Sequence, residues 1–308
     1  MQEGTRTVGE ETIERPSGLL SPEELERLTP RALLKRLGLS ARKGLSQSFL
    51  TDRYVVRDIV EAAELAPTDE VLEVGPGLGV LTRELVRRAR RVVAVELDRR
   101  LAQLLPFLVP GASNLEVIQG DFLEFDPAAH FSVQYKVVAN LPYAITSSAL
   151  RHILTARLKP SIAIVMVQRE VAERIVAKPG DTSLLSIMVQ LYCRVSIVRH
   201  VPAEAFYPAP KVDSTVLKLE VYQEPPVRVD DPEELLRIAA AGFSRRRKQI
   251  HNSLAESLWF PPDGVAQVLE MAGIDPSRRA QTLSLEEWAR LYRAYQEART
   301  RWQAPKDR

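Results

Sequence analysis

The chain has few of the side chains that build disulfides and metal centres. Its 308 residues include one cysteine and four histidines. The single Cys193 excludes an intramolecular disulfide and provides no thiolate cluster for zinc. His130, His152, His200 and His251 show no metal-ligand spacing, and no Ser/His/Asp order of a hydrolase is evident. Metalloenzyme and hydrolase functions are therefore disfavoured, and no metal site is expected. A protein with a single cysteine is also compatible with a reducing compartment of the cell.

Long apolar runs and a strong net charge are also missing. The formal net charge is +2, and no apolar stretch approaches the length of a membrane-spanning helix. The N-terminus carries Glu3, Glu10, Glu11 and Glu14, and it lacks the apolar core of a signal peptide. With 45% hydrophobic residues the chain can bury a full core. We expect a monomeric globular protein of the cytoplasm with no membrane partner.

A short β-branched run ends in a glycine-rich turn. The run over 71–74 is typical of a strand, and Gly75-Pro76-Gly77-Leu78-Gly79 separates it from a helical pattern over 80–90. Glycines let the backbone approach a ligand closely, and the helix start presents free N–H groups. A nucleotide-like ligand is implied. The dinucleotide fingerprint would place a third glycine at Val80, so the spacing departs from that motif.

Acidic and aromatic residues follow the next two predicted strands. The strand over 91–95 ends at Glu96, which can accept hydrogen bonds from both hydroxyls of a ribose; Asp98 is the less favoured substitute. The strand over 114–118 leads to Asp121 and Phe122, which can give a carboxylate and a ring face to an adenine. Taken singly, Asp121 fits a helix cap and Phe122 a core residue. Together, the strand ends offer three contacts to one ligand.

The apolar run over 135–139 closes in Asn140-Leu141-Pro142-Tyr143. Ligands bind at the carboxyl ends of strands in an open parallel sheet. Asn140 can accept from an exocyclic amine, Pro142 fixes its own φ, and Tyr143 offers a face for a flat ring. The plain alternative is a strand end before a proline turn. The neighbouring motifs favour an adenine-like amine as the substrate.

In chain order, these segments resemble the ribosomal RNA adenine N6-dimethyltransferases, which are S-adenosylmethionine-dependent enzymes of Rossmann-like fold. The resemblance implies S-adenosylmethionine as the cofactor. It assigns cofactor contacts to Gln47, Phe49, Leu50, Gly75, Gly77, Glu96, Leu97, Asp121, Phe122 and Asn140. It assigns the target-adenine site to Asn140, Leu141, Pro142, Tyr143 and Phe206.

Further matches extend the resemblance over roughly 43–288. The segment 43–50 is similar to the family's cofactor lid, with Ser46 where the family usually has glycine. The segment 201–214 is similar to a loop in which Phe206 would form the second aromatic wall and Lys211 would reach a phosphate. The segment 276–284 is similar to an element before the family's last helix. A basic block, expected on a helix, would bind RNA phosphates through Arg245, Arg246, Arg247 and Lys248.

Alternating strand and helix patterns predict a doubly wound, Rossmann-like α/β sheet followed by a small C-terminal α-helical domain. Strands are expected near 71–74, 91–96, 114–119, 135–140, 161–167, 195–201 and 215–221. C-terminal helices are expected near 231–248, 262–272 and 284–303. The predicted domains are a partly disordered extension with a short helix over 1–42, a methyltransferase domain over 43–222 and a helical RNA-binding domain over 223–308.

The resemblance implies N6,N6-dimethylation of two adjacent adenosines in a hairpin near the 3′ end of small-subunit (16S) rRNA. The immature small ribosomal subunit would be the partner. Methylation of large-subunit rRNA and a non-catalytic role in RNA binding, assembly or transcription stay open as alternatives. The long helical tail favours the small-subunit branch. DNA adenine methylation is a third alternative, and Leu141 counts against it because the DNA enzymes have proline there.

Overall fold

A central sheet of seven strands organises the protein. The computed structural model describes residues 21–257, 260–261 and 263–303, so residues 1–20 of the predicted extension, with the whole of its predicted disordered part, lie outside the described residues. Two short strands, β1 and β8, pair with each other apart from the main sheet. The strands are β1 Phe49–Leu50, β2 Glu70–Val74, β3 Arg91–Glu96, β4 Leu115–Gln119, β5 Lys136–Asn140, β6 Ile162–Gln168, β7 Cys193–Val201, β8 Phe206–Tyr207 and β9 Ser214–Val221.

The strand order of the main sheet is β4-β3-β2-β5-β6-β9-β7. The first five strands in this order are parallel, and β9 runs antiparallel to both β6 and β7. All seven strands lie within two residues of their predicted bounds. The order reverses between β2 and β5, and such a reversal opens a ligand crevice at the carboxyl ends of the strands. The Rossmann-like fold class is confirmed.

Helices cover both faces of the sheet and form the C-terminal region. Ser21 is the N-cap of the first helix, and Glu24 completes a capping box with it. The helices are α1 Pro22–Arg27, α2 Pro30–Arg36, α3 Arg53–Ala62, α4 Val80–Val86, α5 Arg99–Leu108, α6 Pro127–His130, α7 Thr146–Thr155, α8 Arg169–Ile175, α9 Leu184–Tyr192, α10 Pro232–Phe243, α11 Ile250–Ser257, α12 Gly264–Ala272 and α13 Leu285–Gln303.

The predicted helix over 231–248 is wrong in its last five residues, 244–248. Helix α10 ends at Phe243, and the basic block lies in the turn before α11. That turn is held by a hydrogen bond from the N–H of Lys248 to the carbonyl of Arg245 and by one from Ile250 to Arg278. On a continuous helix Arg245 and Lys248 would be like-charged i,i+3 neighbours; in the turn both pair with Glu256 of α11 instead.

The C-terminal helices pack onto the sheet domain through a continuous apolar cluster. Trp288 of α13 is fully buried and lies against Gly242 of α10, where a Cβ atom would approach its ring to 2.5 Å. Leu283 is fully buried in the same cluster, so both residues hold the last helix against its neighbours. In the described part of the chain, no helix is long and apolar enough to cross a membrane.

Candidate active site

One pocket at the β2–β5 reversal is lined by every residue that the sequence assigned to the cofactor and to the target adenine. The pairing of Val74 with Ala139 sets Gly75 beside Asn140 across the two strand ends. The pocket therefore unites motifs that are far apart in sequence. The residues so assembled are Gln47, Phe49, Leu50, Gly75, Gly77, Glu96, Leu97, Asp121, Phe122, Asn140, Leu141, Pro142, Tyr143 and Phe206.

The glycine turn closes tightly on the pocket. Gly75, Gly77 and Gly79 have φ values of 68°, 59° and 73°, in the left-handed region that favours glycine. A Cβ atom at Gly77 would lie 3.1 Å from the ring of Phe49. Gly79 is the N-cap of α4. The absence of side chains thus lets the lid residue Phe49 pack directly on the turn.

Glu96 presents its carboxylate to the pocket from the end of β3. Its Oε2 accepts from the N–H of Gly77 at 3.0 Å, and its Oε1 accepts from the N–H of Asp98 at 2.9 Å. Each oxygen keeps further acceptor capacity, as two ribose hydroxyls require. Burial, aided by the like charge of Asp98, raises the pKa of Glu96 despite these hydrogen bonds. This geometry supports Glu96 as the ribose acid.

Asp98 has a different function in the structure. Its carboxylate binds Arg100 at 2.8 Å and accepts from Nε2 of Gln47 at 3.0 Å. Burial acts to raise the pKa of Asp98, but the hydrogen bonds from Arg100 and Gln47 outweigh it and lower that pKa to about 2. Asp98 therefore anchors the lid segment and is already occupied as a hydrogen-bond acceptor.

Glu73 is a buried acid of the pocket that the sequence reasoning missed. It is the fourth of the five residues of β2 and is 1% exposed. Burial, together with the nearby charge of Glu96, raises the pKa of Glu73 to about 8. The sequence does contain an indication of this site, because Glu73 is an acidic residue within an otherwise apolar predicted strand. Glu73 therefore holds its proton at neutral pH, next to the glycine turn.

The lid segment joins the two halves of the pocket. Strand β1 of the lid pairs with β8, so that Leu50 lies opposite Phe206 and Phe49 opposite Tyr207. Oγ of Ser48 donates to the carbonyl of Pro208 at 2.7 Å. The lid therefore connects the cofactor side of the pocket with the loop of the predicted second aromatic wall. No sequence pattern indicates this pairing, because each strand has two residues.

Ser46 has the backbone conformation that glycine would favour. Its φ is 52°, and it is exposed. A non-glycine residue in this region is strained by contact between its Cβ atom and the backbone. The departure from the family pattern thus costs stability but preserves the course of the lid.

Asn140 is oriented by the lid. Its Nδ2 donates to the main-chain carbonyl of Ser48 at 3.3 Å, which leaves Oδ1 to accept from a ligand. The carbonyl of Pro142 already accepts from the N–H of Ile145 at 3.1 Å and from Oγ1 of Thr146 at 3.3 Å. Of the neighbouring main-chain carbonyls of Leu141 and Pro142, that of Leu141 is thus the better available to accept from an amine.

Two aromatic residues of the pocket are fixed by contacts with residues of β9 and of the lid. The hydroxyl of Tyr143 forms a 2.8 Å hydrogen bond with the buried Ser214, at the start of β9. Phe206 is 4% exposed and is fixed by the β1–β8 pair. The sandwich of a base between these rings remains a prediction.

Asp121 and Phe122 act as a cap and a core residue, and they also line the pocket, so both interpretations given for them from the sequence apply. Oδ1 of Asp121 accepts from the N–H of Leu123 at 2.9 Å and so caps a short 3-10 turn. Phe122 is buried in the core and meets His152 edge-on at 5.0 Å between ring centroids. Both residues nevertheless line the pocket. The cap thus fixes an acid and a ring at the third strand end.

The residues assigned to RNA lie outside the pocket. Lys211 is exposed on the loop before β9. Arg245 and Lys248 both pair with Glu256, whereas Arg246 and Arg247 are exposed in the same turn. The structure places this basic turn beside the segment 276–279, through the bond from Ile250 to Arg278. Their contacts with RNA stay a prediction.

Comparison with known proteins agrees with this site. Residues 38–297 match the family model described as ribosomal RNA adenine dimethylase. A protein of Dehalococcoides mccartyi named ribosomal RNA small subunit methyltransferase A is 46% identical over 267 residues, which cover 86% of this chain and 92% of that protein. A protein of the same name from Moorella thermoacetica is 43% identical over 277 residues, covering 86% and 96% of the two chains.

Two solved structures are similar in fold over most of the chain. A dimethyladenosine transferase from Plasmodium falciparum has a TM-score of 0.71 at 27% identity, covering 81% of this chain and 98% of that one. The 23S rRNA methyltransferase ErmE has a TM-score of 0.64 at 33% identity, covering 80% and 99%. The similarity includes the C-terminal helical region as well as the sheet.

Proposed function

The chain belongs to the ribosomal RNA adenine dimethylase family, and on that premise we propose that it methylates N6 of adenosines in small-subunit ribosomal RNA. It is an S-adenosylmethionine-dependent methyltransferase. The specific target that we propose is a pair of adjacent adenosines in a hairpin near the 3′ end of 16S rRNA, each converted to N6,N6-dimethyladenosine. The observation that carries this proposal is the orientation of Asn140, whose amide nitrogen is engaged while its oxygen is left for an amine.

The residues of the pocket fit the cofactor. Gly77 leaves no room for a side chain between the turn and Phe49, and Glu96 offers acceptors on both oxygens. Gly75, Gly77 and the lid would hold the methionine end, Glu96 the ribose, and Asp121 and Phe122 the adenine. Bound there, S-adenosylmethionine supplies an electrophilic methyl group.

Asn140 and Leu141 would position the nucleophile. The lone pair of an adenine N6 is delocalised into the ring, so the amine must be held with that lone pair directed at the methyl group. Oδ1 of Asn140 and the carbonyl of Leu141 would each accept one N–H, and this fixes the direction of the lone pair. Orientation of this kind can account for much of a barrier reduction. No strong base is needed, because the amine becomes acidic as it gains positive charge.

Tyr143 and Phe206 would hold the target base after it leaves its stack. Stacking of a base on aromatic residues is worth roughly 1–3 kcal/mol in single-strand sites, which offsets part of the cost of flipping the base. The hydrogen bond between the hydroxyls of Tyr143 and Ser214 and the β1–β8 pair keep both rings in place. The site is therefore arranged for a flat base with an exocyclic amine.

Methylation of large-subunit RNA is the second candidate. The similarity to ErmE, with a TM-score of 0.64 and 33% identity, supports it. The relatives named small subunit methyltransferase are 43–46% identical and cover more of this chain, which favours the small subunit. A non-catalytic role is disfavoured, since Gly75, Glu96 and Asn140 line one pocket, and this supports cofactor binding beside a site for an amine.

The cellular setting follows from the same proposal. We place the protein in the cytoplasm, as a monomer that meets the immature small ribosomal subunit during assembly. The sheet domain would end near residue 222, and the helical region after it would bind RNA through the basic turn. The N-terminal extension over 1–42 would form the third unit.

Mapping the modified position would test the proposal. Ribosomal RNA from cells that lack the gene, with and without its restoration, would be probed by reverse transcription, which stops at N6,N6-dimethyladenosine. Stops at two adjacent adenosines of 16S rRNA, only in the restored cells, are expected. Stops in 23S rRNA instead would show that the protein methylates large-subunit RNA.

A further inference from the structure

An arginine-lined groove lies next to the candidate active site. It holds about 420 Å³ and is formed by α1, the start of α3 and α4. Leu50 and Val80 line both this groove and the pocket. Because Leu50 also pairs with Phe206, the groove adjoins the wall of the predicted target-base site. We call it the arginine groove; its arginines are Arg27, Arg53, Arg57, Arg83, Arg87 and Arg88.

The arginine groove has an excess of positive charge. Six arginines line it, against the two carboxylates of Glu26 and Glu84. Two more carboxylates, Asp58 and Glu61, lie beside Arg57 outside the lining. Six arginines against these four acids leave an excess of two positive charges. An accessible groove of this charge suits a polyanion.

An exposed aromatic residue stands beside the groove. Tyr54, in the first turn of α3, is 65% exposed and is the most exposed large apolar side chain of the described residues. The guanidinium of Arg57 lies over its ring, 5.4 Å from the centroid. An aromatic face next to a row of cations is the combination with which proteins bind single-stranded nucleic acid. The surface therefore offers contacts to both phosphates and a base.

We propose that the arginine groove binds the phosphates of the RNA strand that flanks the target adenosine, with Tyr54 stacking on a neighbouring base. This inference rests on the proposed function. A flipped adenosine between Tyr143 and Phe206 leaves its strand at the mouth of the pocket, and the groove begins on the other side of Leu50. The strand thus passes from the pocket into the groove over the β1–β8 pair.

Phosphate contacts also suit a substrate with two adjacent targets. The second adenosine enters the pocket only if the strand moves by one nucleotide. Such a shift replaces every phosphate by the next one, so the arginines bind phosphates in both positions, whereas hydrogen bonds specific to one base would break. The groove can therefore hold the strand in both registers.

Charge reversal in the groove tests the proposal. In transfer of labelled methyl to immature small subunits, R57E and the double variant R27E/R57E should raise the KM for the subunit, the latter by about tenfold or more. The slope of log KM against log salt should fall by about 1 for each phosphate that the variant no longer neutralises. Y54A should weaken binding, and Y54F, which keeps the ring, should restore it. The dissociation constant for S-adenosylmethionine should not change in any of these variants.

R194E is the matched control. Arg194 has a glutamate partner, Glu220, as Arg57 has Glu61, and the two arginine side chains are 70% and 56% exposed. It lies in the sheet domain at the start of β7, at the end of the sheet opposite to the pocket and outside the groove. If R57E and R27E/R57E match R194E in KM and in salt slope while the wild type methylates small subunits, the groove proposal is wrong. If the wild type fails to methylate them, it is the proposed function that fails.

Discussion

The amide of Asn140 donates to the main-chain carbonyl of Ser48 at 3.3 Å, across 92 positions of the sequence. This contact decides which end of the amide faces a ligand. The nitrogen is held by the lid, so the oxygen is left for the adenine amine of the proposed reaction. The lid would thus take part in two functions, since it lines the proposed cofactor site and also orients the residue proposed to position the nucleophile.

Replacement of Asn140 should separate cofactor binding from transfer. N140A removes the acceptor and should lower kcat by about a hundredfold or more, as misplaced reactants do. N140D keeps an acceptor oxygen but places a second oxygen against the carbonyl of Ser48, so its kcat should also fall. Single-turnover transfer and calorimetric titration of the cofactor would measure the two effects. Full transfer by N140A would contradict the role assigned to this residue.

Replacement of Ser48 should lower kcat/KM for the ribosomal subunit. S48A removes the 2.7 Å hydrogen bond to the carbonyl of Pro208, which ties the lid to the loop of Phe206. A net loss of about 0.5–1.5 kcal/mol for such a bond corresponds to a twofold to tenfold lower kcat/KM for the subunit. S48T retains the hydroxyl and should restore most of the activity. Equal losses in S48A and S48T would show that the hydrogen bond is unimportant.

Ser46 should be a site where glycine stabilises the protein. At a φ of 52°, S46G removes a conformational cost of roughly 1 kcal/mol. The loss of chain entropy on folding is larger for glycine and offsets part of this gain. Urea unfolding of S46G and of S40G, whose φ is not positive, would measure it. We expect the free energy of unfolding to rise in S46G alone. A fall in both variants would show that Ser46 is not strained.

Glu73 should make stability depend on pH. In the folded protein its pKa is raised to about 8, against an ordinary value of 4.5. The folded state therefore retains a proton that the unfolded chain releases between these pH values. The free energy of unfolding should fall across this window as pH rises, by up to about 1.4 kcal/mol per pH unit.

The variant E73Q isolates this contribution, because it keeps the shape of the side chain and cannot ionise. Urea unfolding of both proteins between pH 5.5 and pH 8.5 should show the wild type losing stability relative to E73Q as pH increases. A difference that stays constant with pH would mean that Glu73 does not take up a proton on folding.

Local patterns in the sequence predicted the strand ends well. Gly75, Glu96 and Asn140 follow apolar runs that are too short for helices, and parallel strands bring their carboxyl ends to one edge of a sheet. Their assembly in one pocket thus follows from periodicity and topology. The roles of the individual residues still rest on the resemblance to the family.

Contacts between distant segments were not predictable in this way. The β1–β8 pair joins two strands of two residues each, which carry no periodic signal. Helix α10 ends at Phe243 although the helical pattern of the sequence continues through Lys248, and the chain beyond it is bonded to the distant Arg278 through Ile250. The pKa of Glu73 depends on burial by the layers around β2. Each of these features is set by tertiary packing.

Methyl transfer to separate substrates tests the central claim most directly. Immature small subunits that lack the modification, large subunits and duplex DNA would each be incubated with labelled S-adenosylmethionine, digested to nucleosides and analysed by mass. The account predicts N6,N6-dimethyladenosine in the small-subunit RNA alone. Label in large-subunit RNA or DNA, or bound cofactor without any transfer, would contradict it.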